Sequence, residues 1–374
     1  PGARALQNRP GGVAVNSALK TAVIGCGKVG HFHARAWRQV EGCELVACWN
    51  RALPRAQAFA GDYGIRPYDD LERMVRECGV QAASICTPHM NHAGLASALA
   101  KLGVHIIVEK PLAVSLEDCD AIIAAVKEAG VTGATISQRR FYEPVIRVKR
   151  AIDEGKIGKP ILGTVNMLGW RSMDYYRSDP WRGSWAMEGG GVLVNQAVHQ
   201  LDLLLWYMGE VDSLFGIWDT LNHPELEVDD TAAAVIRFKS GAIGSICVSN
   251  CQNPALFGNV RVHGYNGASV GVQTDGGAMF IAGVSGAGEP PVNDLWTVPG
   301  EEDLLPRFRE EDRQAFLAAD DVRYFKLQLE DFARAIREGR APLVTLEDGR
   351  RAVELFQGIY RSQKEGRMIR FPFK

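Results

Sequence analysis

A glycine-patterned turn set between an apolar run and an amphipathic stretch constrains this chain more than any other feature. Gly25-Cys26-Gly27-Lys28-Val29-Gly30 follows the β-type run Lys20 to Ile24 and opens a segment in which Val29, Phe32, Ala36, Trp37 and Val40 recur at helical spacing. In a chain with 40 glycines a Gly-x-Gly-x-x-Gly alone decides little. Strand, turn and helix in that order are what a dinucleotide site requires. Gly25 would make the tight turn, Gly27 would let backbone approach a pyrophosphate, and Gly30 would let helix pack on strand. Lys28 and Val29 then stand at the helix N-terminus that receives the phosphates. The competing reading is a βα turn that serves packing alone.

The second strand reads Glu44 to Trp49 and ends at Asn50, where a carboxylate would ordinarily meet the ribose hydroxyls. A neutral amide still bonds a 2′-hydroxyl, and with Arg51 and Arg55 following it removes the repulsion that would exclude a 2′-phosphate. The cofactor expectation is therefore NAD or NADP, with a lean towards NADP or dual use. Two arginines that are merely solvated at a helix start are the alternative.

Further strands are predicted at Ala82–Cys86, His105–Val108 and Val131–Ser137, separated by helices near Asn91–Leu102 and Ser115–Ala129. This alternation predicts a parallel, doubly wound sheet. Polar residues follow the strands: Thr87-Pro88-His89, Glu109-Lys110-Pro111 and Gln138-Arg139-Arg140. Ligands bind at such strand ends in open α/β sheets. After a helix at Tyr142–Glu154, β-type runs at Ile161–Trp170, Leu214–Thr220, Asp230–Phe238, Ala242–Asn250 and Asn259–His263 predict a large, mainly antiparallel sheet. One long helix, Gly191–Met208, interrupts them, and helices close the chain at Arg323–Arg337 and Glu347–Lys364.

With 374 residues the chain exceeds one ordinary α/β domain. Residues 1–18 read as a flexible arm, a processed leader or a cloning remnant, 19–140 as the dinucleotide-binding domain, and 141–374 as a substrate-binding and oligomerisation domain. A net charge of −2 with interspersed signs offers no basic stripe, so no nucleic-acid partner is expected. No apolar run approaches the roughly 18 to 20 residues that span a bilayer, so a soluble, cytoplasmic protein with no membrane partner is expected. The eight cysteines lack a Cys-x-x-Cys and read as reduced, mostly buried thiols. His31/His33 and His89/His92 lack a second cluster with ligand spacing, so no metal is expected.

Five ordered matches then carry a resemblance: Gly25 to Gly30 with His33, Thr87-Pro88 with His92, Glu109-Lys110-Pro111, Gly189-Gly190-Gly191 running to His199 and Leu201-Asp202, and Glu347-Asp348-Gly349. From about Lys20 onwards the chain resembles the Gfo/Idh/MocA family of sugar and cyclitol oxidoreductases. The resemblance implies a Rossmann domain joined to an α/β domain whose open sheet forms a homodimer or homotetramer interface. It also implies nucleotide contacts at Thr87, Pro88, His92, Glu109 and Lys110, and a Lys110–Pro111 bond that is often cis.

Oxidising a secondary alcohol needs a group that accepts the hydroxyl proton near working pH, and a desolvated Lys110 fits that need. Lys110 as a mere surface charge is the bland alternative. Asn195 precedes His199 by four residues, which on one helix places both on one face. The family often has Asp at the first position. An amide there cannot raise the basicity of His199, so Lys110 is favoured as principal base with His199 as partner. Substrate contacts are expected from Arg171, Tyr176, Trp181, Arg182 and Trp185, together with Asn195 and His199, because sugars are held by polar forks and aromatic faces; core packing remains open for each tryptophan. The expected activity is hydride transfer from a ring hydroxyl of a sugar, glycoside or cyclitol. A retained-cofactor enzyme that cleaves glycosides or shuttles hydride between sugars is one alternative, and a non-catalytic sensor another.

Overall fold

A computed structural model of the chain describes residues 18–256, 258–275 and 290–373. All but the last residue of the expected arm 1–18 and most of the Gly-rich stretch 276–291 lie outside the described residues.

The first unit alternates as the sequence predicts: β1 (Leu19–Ile24), α1 (Lys28–Trp37), β2 (Cys43–Trp49), α2 (Leu53–Tyr63), β3 (Arg66–Tyr68), α3 (Leu71–Cys78), β4 (Ala82–Ile85), α4 (His92–Lys101), β5 (His105–Val108), α5 (Leu116–Ala129) and β6 (Gly133–Thr135). All six strands are parallel in the order β3-β2-β1-β4-β5-β6. Every residue of β4 is buried, as a sheet covered on both faces demands. The strand order reverses between β1 and β4, so the loops that follow these two strands open side by side into the crevice where such sheets bind ligands.

The second unit runs α6 (Glu143–Asp153), β7 (Pro160–Leu168), α7 (Met173–Arg177), α8 (Val192–Asn195), α9 (Val198–Met208), β8 (Val211–Asp219), β9 (Thr231–Phe238), β10 (Ile243–Ser249), β11 (Gly258–Gly264), β12 (Ser269–Asp275), β13 (Val292–Trp296), α10 (Leu305–Leu317), α11 (Arg323–Glu338), α12 (Leu346–Glu365) and β14 (Ile369–Arg370). Its eight-stranded sheet has the order β13-β12-β11-β7-β10-β9-β8-β14, antiparallel except where β10 lies parallel to β7. Helix α9 packs on β7 and β11, and α12 on β8. The fold is thus the expected parallel Rossmann unit plus a mainly antiparallel open sheet. Strands β12, β13 and β14 and helix α10 extend it beyond the segments that the sequence pattern marks.

One expectation is corrected. The predicted helix Gly191–Met208 is two helices, because α8 stops at Asn195 and α9 restarts at Val198. The Ala197 N–H reaches back to the Val192 carbonyl, five residues earlier, so the turn is wider than a regular α-helical one. Asn195 and His199 therefore do not share one helix face.

Two features lock the units together. Helix α11 returns to the first sheet, placing Phe325 against Phe32 and His33, while Gln328 bonds the Ser137 N–H and the Thr135 carbonyl. Asp202 on α9 accepts from Ser137 Oγ and takes the Arg140 guanidinium at 2.8 and 2.5 Å. Removing one partner of a buried pair of this kind typically costs about 3–5 kcal/mol.

Candidate active site

Gly25 has φ +106°, and a Cβ there would lie 2.8 Å from the Cys86 backbone, so both torsion and space require glycine. A Cβ on Gly30 would come 2.2 Å from the Gly25 carbonyl oxygen. At Gly27 a Cβ would meet nothing within 4 Å, so this face of the turn is open. Gly27 caps α1 without a side-chain hydrogen bond, and the first turn holds no acid, which leaves backbone N–H groups at a positive helix end. Val29 is half-buried and Lys28 exposed beside that opening. These residues fit a pyrophosphate.

Across the crevice, the Asn50 Oδ1 accepts from the Ala52 N–H at 2.9 Å, an Asx turn that leaves the amide NH2 as the group's donor. Arg51 and Arg55 are exposed. His92 sits beneath the next loops, with its ring nitrogens 2.9 Å from the Thr87 carbonyl and 3.0 Å from the Pro111 carbonyl. It thereby ties Thr87 and Pro88 to the turn after β5. The Lys110–Pro111 peptide in that turn is cis.

Glu109 is buried, and both its carboxylate oxygens have partners other than the Lys110 ammonium. One oxygen meets His33 Nε2 at 2.9 Å and the other accepts the Lys110 backbone N–H at 3.0 Å. Burial alone would raise this carboxyl, but the His33 contact and the Lys110 charge hold it below the usual range. Lys110 is half-buried, and its Nζ donates to the Asn195 carbonyl at 2.9 Å and to Asn195 Oδ1 at 3.2 Å. The interruption after α8 explains the first bond, since this carbonyl sits at a helix end. Desolvation brings Lys110 down to about 8; Glu109 and Glu188 oppose the shift, while Arg139 and Arg182 assist it.

His199 lines one cleft with Lys110, Pro111, Ser137, Val198 and Asp202. Burial, then the charges of Arg139 and Lys110, hold it well below the ordinary histidine range, so it is neutral at working pH. A hollow at the C-terminal end, lined by Arg361, Arg367, Met368 and Phe373, contains none of these groups.

The loop after α7 forms the facing wall. Arg182 lies over Tyr175 and Trp181, at 4.2 and 4.4 Å, and its guanidinium donates to the Tyr175 hydroxyl. Trp181 meets His89 edge-on at 5.2 Å. Arg171 is buried behind Tyr175, and Tyr176 is buried with its hydroxyl accepting from Asn250 and its ring against His223. Trp185 belongs to a separate aromatic group with Trp218 and Tyr360.

Glu188 was not singled out by the sequence, although it immediately precedes the Gly189-Gly190-Gly191 run. Only its depth marks it: it is 1% exposed, and its carboxylate accepts from Asn195 Nδ2 at 2.5 Å and from the Gly183 N–H at 2.6 Å. Among the described residues one His/Cys/Asp group gathers with metal-like spacing, His223, Asp230 and Cys251. Its His223 nitrogens already face Asp230 Oδ2 at 2.9 Å and the Arg171 carbonyl at 2.7 Å, so it is a hydrogen-bonded cluster within the fold.

Residues 19–136 match the family model described as the oxidoreductase family with an NAD-binding Rossmann fold, and residues 145–270 match the GFO/IDH/MocA C-terminal domain. The chain belongs to the Gfo/Idh/MocA oxidoreductases. Among relatives of this Gfo/Idh/MocA chain, scyllo-inositol 2-dehydrogenase (NAD(+)) of Bacillus subtilis is 28% identical over 364 residues, spanning 95% of this chain and 97% of the relative. Myo-inositol 2-dehydrogenase of Thermotoga maritima is 28% identical over 359 residues, with 94% and 98% covered. The solved WlbA dehydrogenase of Bordetella pertussis, in complex with NADH and UDP-GlcNAcA, superposes with a TM-score of 0.83 at 27% identity, covering 97% of this chain and all of that one. The expected oxidoreductase of the sugar and cyclitol dehydrogenase kind accords with these relatives; where their descriptions name a cofactor it is NAD(H), which does not bear on the expected lean towards NADP. Among the described residues no helix is long and apolar enough to cross a membrane.

Proposed function

We propose that the chain oxidises a ring hydroxyl of a sugar, glycoside or cyclitol to the ketone, with Lys110 as base and His199 as hydrogen-bond partner of the reacting hydroxyl. The observation that carries this reading is the convergence, in one cleft at the end of β5, of an ammonium brought down to about 8 and a neutral imidazole. When bound, the nicotinamide accepts the hydride leaving the carbinol carbon. Neutral Lys110 receives the hydroxyl proton on Nζ, while His199 donates to or accepts from the same oxygen and orients it. Asn195 anchors Lys110 through two oxygens.

Trp181 and Arg182 are proposed as the apolar face and donor fork for the sugar. Arg171 and Tyr176 back that wall through Tyr175 and His223, and Trp185, 38% exposed, is assigned to the outer edge. For the nucleotide we propose contacts from Gly25, Gly27, Lys28, Val29, Gly30, Thr87 and Pro88, with Asn50, Arg51 and Arg55 admitting NADP as well as NAD. A homodimer or homotetramer is proposed across the outer face of the eight-stranded sheet, where Ile161, Phe215, Ile217, Val235 and Ile243 are each 40–56% exposed. Free thiols at all eight cysteines suit the cytoplasm, although only Cys48, Cys78 and Cys119 are buried, whereas most were expected to be.

The decisive experiment follows absorbance of reduced nicotinamide as the protein meets NAD or NADP and a panel of hexoses, cyclitols, anhydrosugars and glycosides. Growth of the band with one substrate is expected. Silence across the panel with both nucleotides would overturn the dehydrogenase reading in favour of a retained cofactor or a non-redox role.

A further inference from the structure

A neutral lysine amine has two N–H donors and one lone pair, and only the lone pair can take a proton. At Lys110 two oxygens of Asn195, the carbonyl at 2.9 Å and Oδ1 at 3.2 Å, absorb the donors. The lone pair is then left to the cleft. This holds only while the Asn195 amide presents oxygen to Lys110. Turned by about half a revolution, the amide would aim NH2 at Nζ and occupy the lone pair itself, a change that costs almost nothing in shape.

Something must select the orientation. Asn195 Nδ2 faces two oxygens, Glu188 Oε1 at 2.5 Å and the Tyr175 hydroxyl at 3.3 Å. The hydroxyl is a weak selector, since it can donate as well as accept, whereas an ionised carboxylate only accepts. We propose that Glu188 is a positioning residue whose carboxylate orients the Asn195 amide and so keeps the Lys110 lone pair available to the substrate hydroxyl. This rests on the assignment of Lys110 as base. The carboxylate is itself held by the Gly183 N–H, and the Glu188 carbonyl by His89 Nδ1 at 3.0 Å, so the loop after β4 supports it too.

The charges around the pair set its pH response. Lys110 feels Glu109, Arg139, Arg182 and Glu188, with the neutral rings of His89 and His199 beside it. Glu188 feels Arg182 and, with like charge, Asp229; burial pushes it up to about 7. Below that pH the carboxyl gains a proton, becomes a donor and no longer specifies the amide.

Glu188→Gln should lower kcat about 30-fold with nucleotide affinity unchanged, and adding Asn195→Asp should restore kcat to within about threefold. In the double variant donor and acceptor are exchanged: the new amide N–H donates to the new carboxylate, whose second oxygen still faces Lys110. A role in packing alone predicts no such recovery. The unsubstituted enzyme gives a second test that does not depend on folding of a variant. Its log kcat for alcohol oxidation should fall with slope one below about 8, steepen below about 7, and return to slope one once the roughly 30-fold contribution of the carboxylate is lost. Wild-type kcat in Glu188→Gln, no recovery in the double variant, or slope one throughout would overturn the proposal. Lys110→Met separates the two ideas. Residual turnover there removes the base assignment and this proposal with it. An inactive Lys110→Met beside a fully active Glu188→Gln removes only the role of Glu188.

Discussion

The turn after β1 and the turn after β5 open into the same crevice, yet they are built in opposite ways. The first works by backbone: Gly25, Gly27 and Gly30 supply torsion, open space and close packing, and no side chain caps the helix that follows. The second works by side chains gathered from distant segments, since Lys110 depends on Asn195, which depends on Glu188 and Tyr175. A backbone site is local in sequence. A side-chain site is assembled by the fold.

The contrast breaks if substitutions on the two sides have the same signature. Lys110→Met should lower kcat for alcohol oxidation about 1,000-fold while nucleotide affinity, followed by fluorescence titration, stays within about twofold. Comparable losses in both would show that Lys110 chiefly binds the nucleotide.

On the backbone side two glycines should part company. Gly30→Ala forces a Cβ to 2.2 Å from a carbonyl oxygen and should cost about 1–3 kcal/mol of stability, lowering the thermal midpoint. Gly27→Ala adds a Cβ with nothing within 4 Å, so the midpoint should hold while nucleotide affinity falls about tenfold, a loss of about 1.4 kcal/mol. An unchanged affinity in Gly27→Ala would mean that the open face of the turn is not where the phosphates lie.

The pH profile sharpens the side-chain half. Lys110 accepts a proton only when neutral, so oxidation should rise with pH and level off above about 8. Reduction in the reverse direction needs the protonated form and should fall through the same region. A profile flat between pH 6 and pH 9, roughly the window over which such an amine titrates, would point to a different base. The smallest effect is expected at Asn50. Asn50→Asp should shift the ratio of kcat/KM for NAD over NADP about fivefold or more towards NAD, because a carboxylate repels a 2′-phosphate and accepts from a 2′-hydroxyl.

Much of the first half was legible in sequence because a parallel βα unit repeats on a short scale. β5 matches its predicted span His105–Val108, and α5 begins at Leu116 behind the Ser115 cap, whose side chain accepts the Asp118 N–H. The three-residue β3 and the edge strand β14 carry too few residues to show a period. The break between α8 and α9 was hidden for a different reason. Val192 to Met208 is apolar enough to read as one helix, and the interruption brings the Asn195 carbonyl to Lys110 through contacts that no local pattern encodes.

By itself the sequence determined the doubly wound unit, the glycine turn and the presence of an ammonium at the end of β5, since each follows from periodicity and spacing within a few residues. The tertiary structure decided which groups surround that ammonium. Asn195 and Glu188 lie far from Lys110 along the chain, and Asp202 with Arg140 fastens the helix that carries His199 to the first unit. The physical reason is that a proton-transfer group owes its behaviour to desolvation and to neighbouring charges and donors, and these are properties of a folded interior.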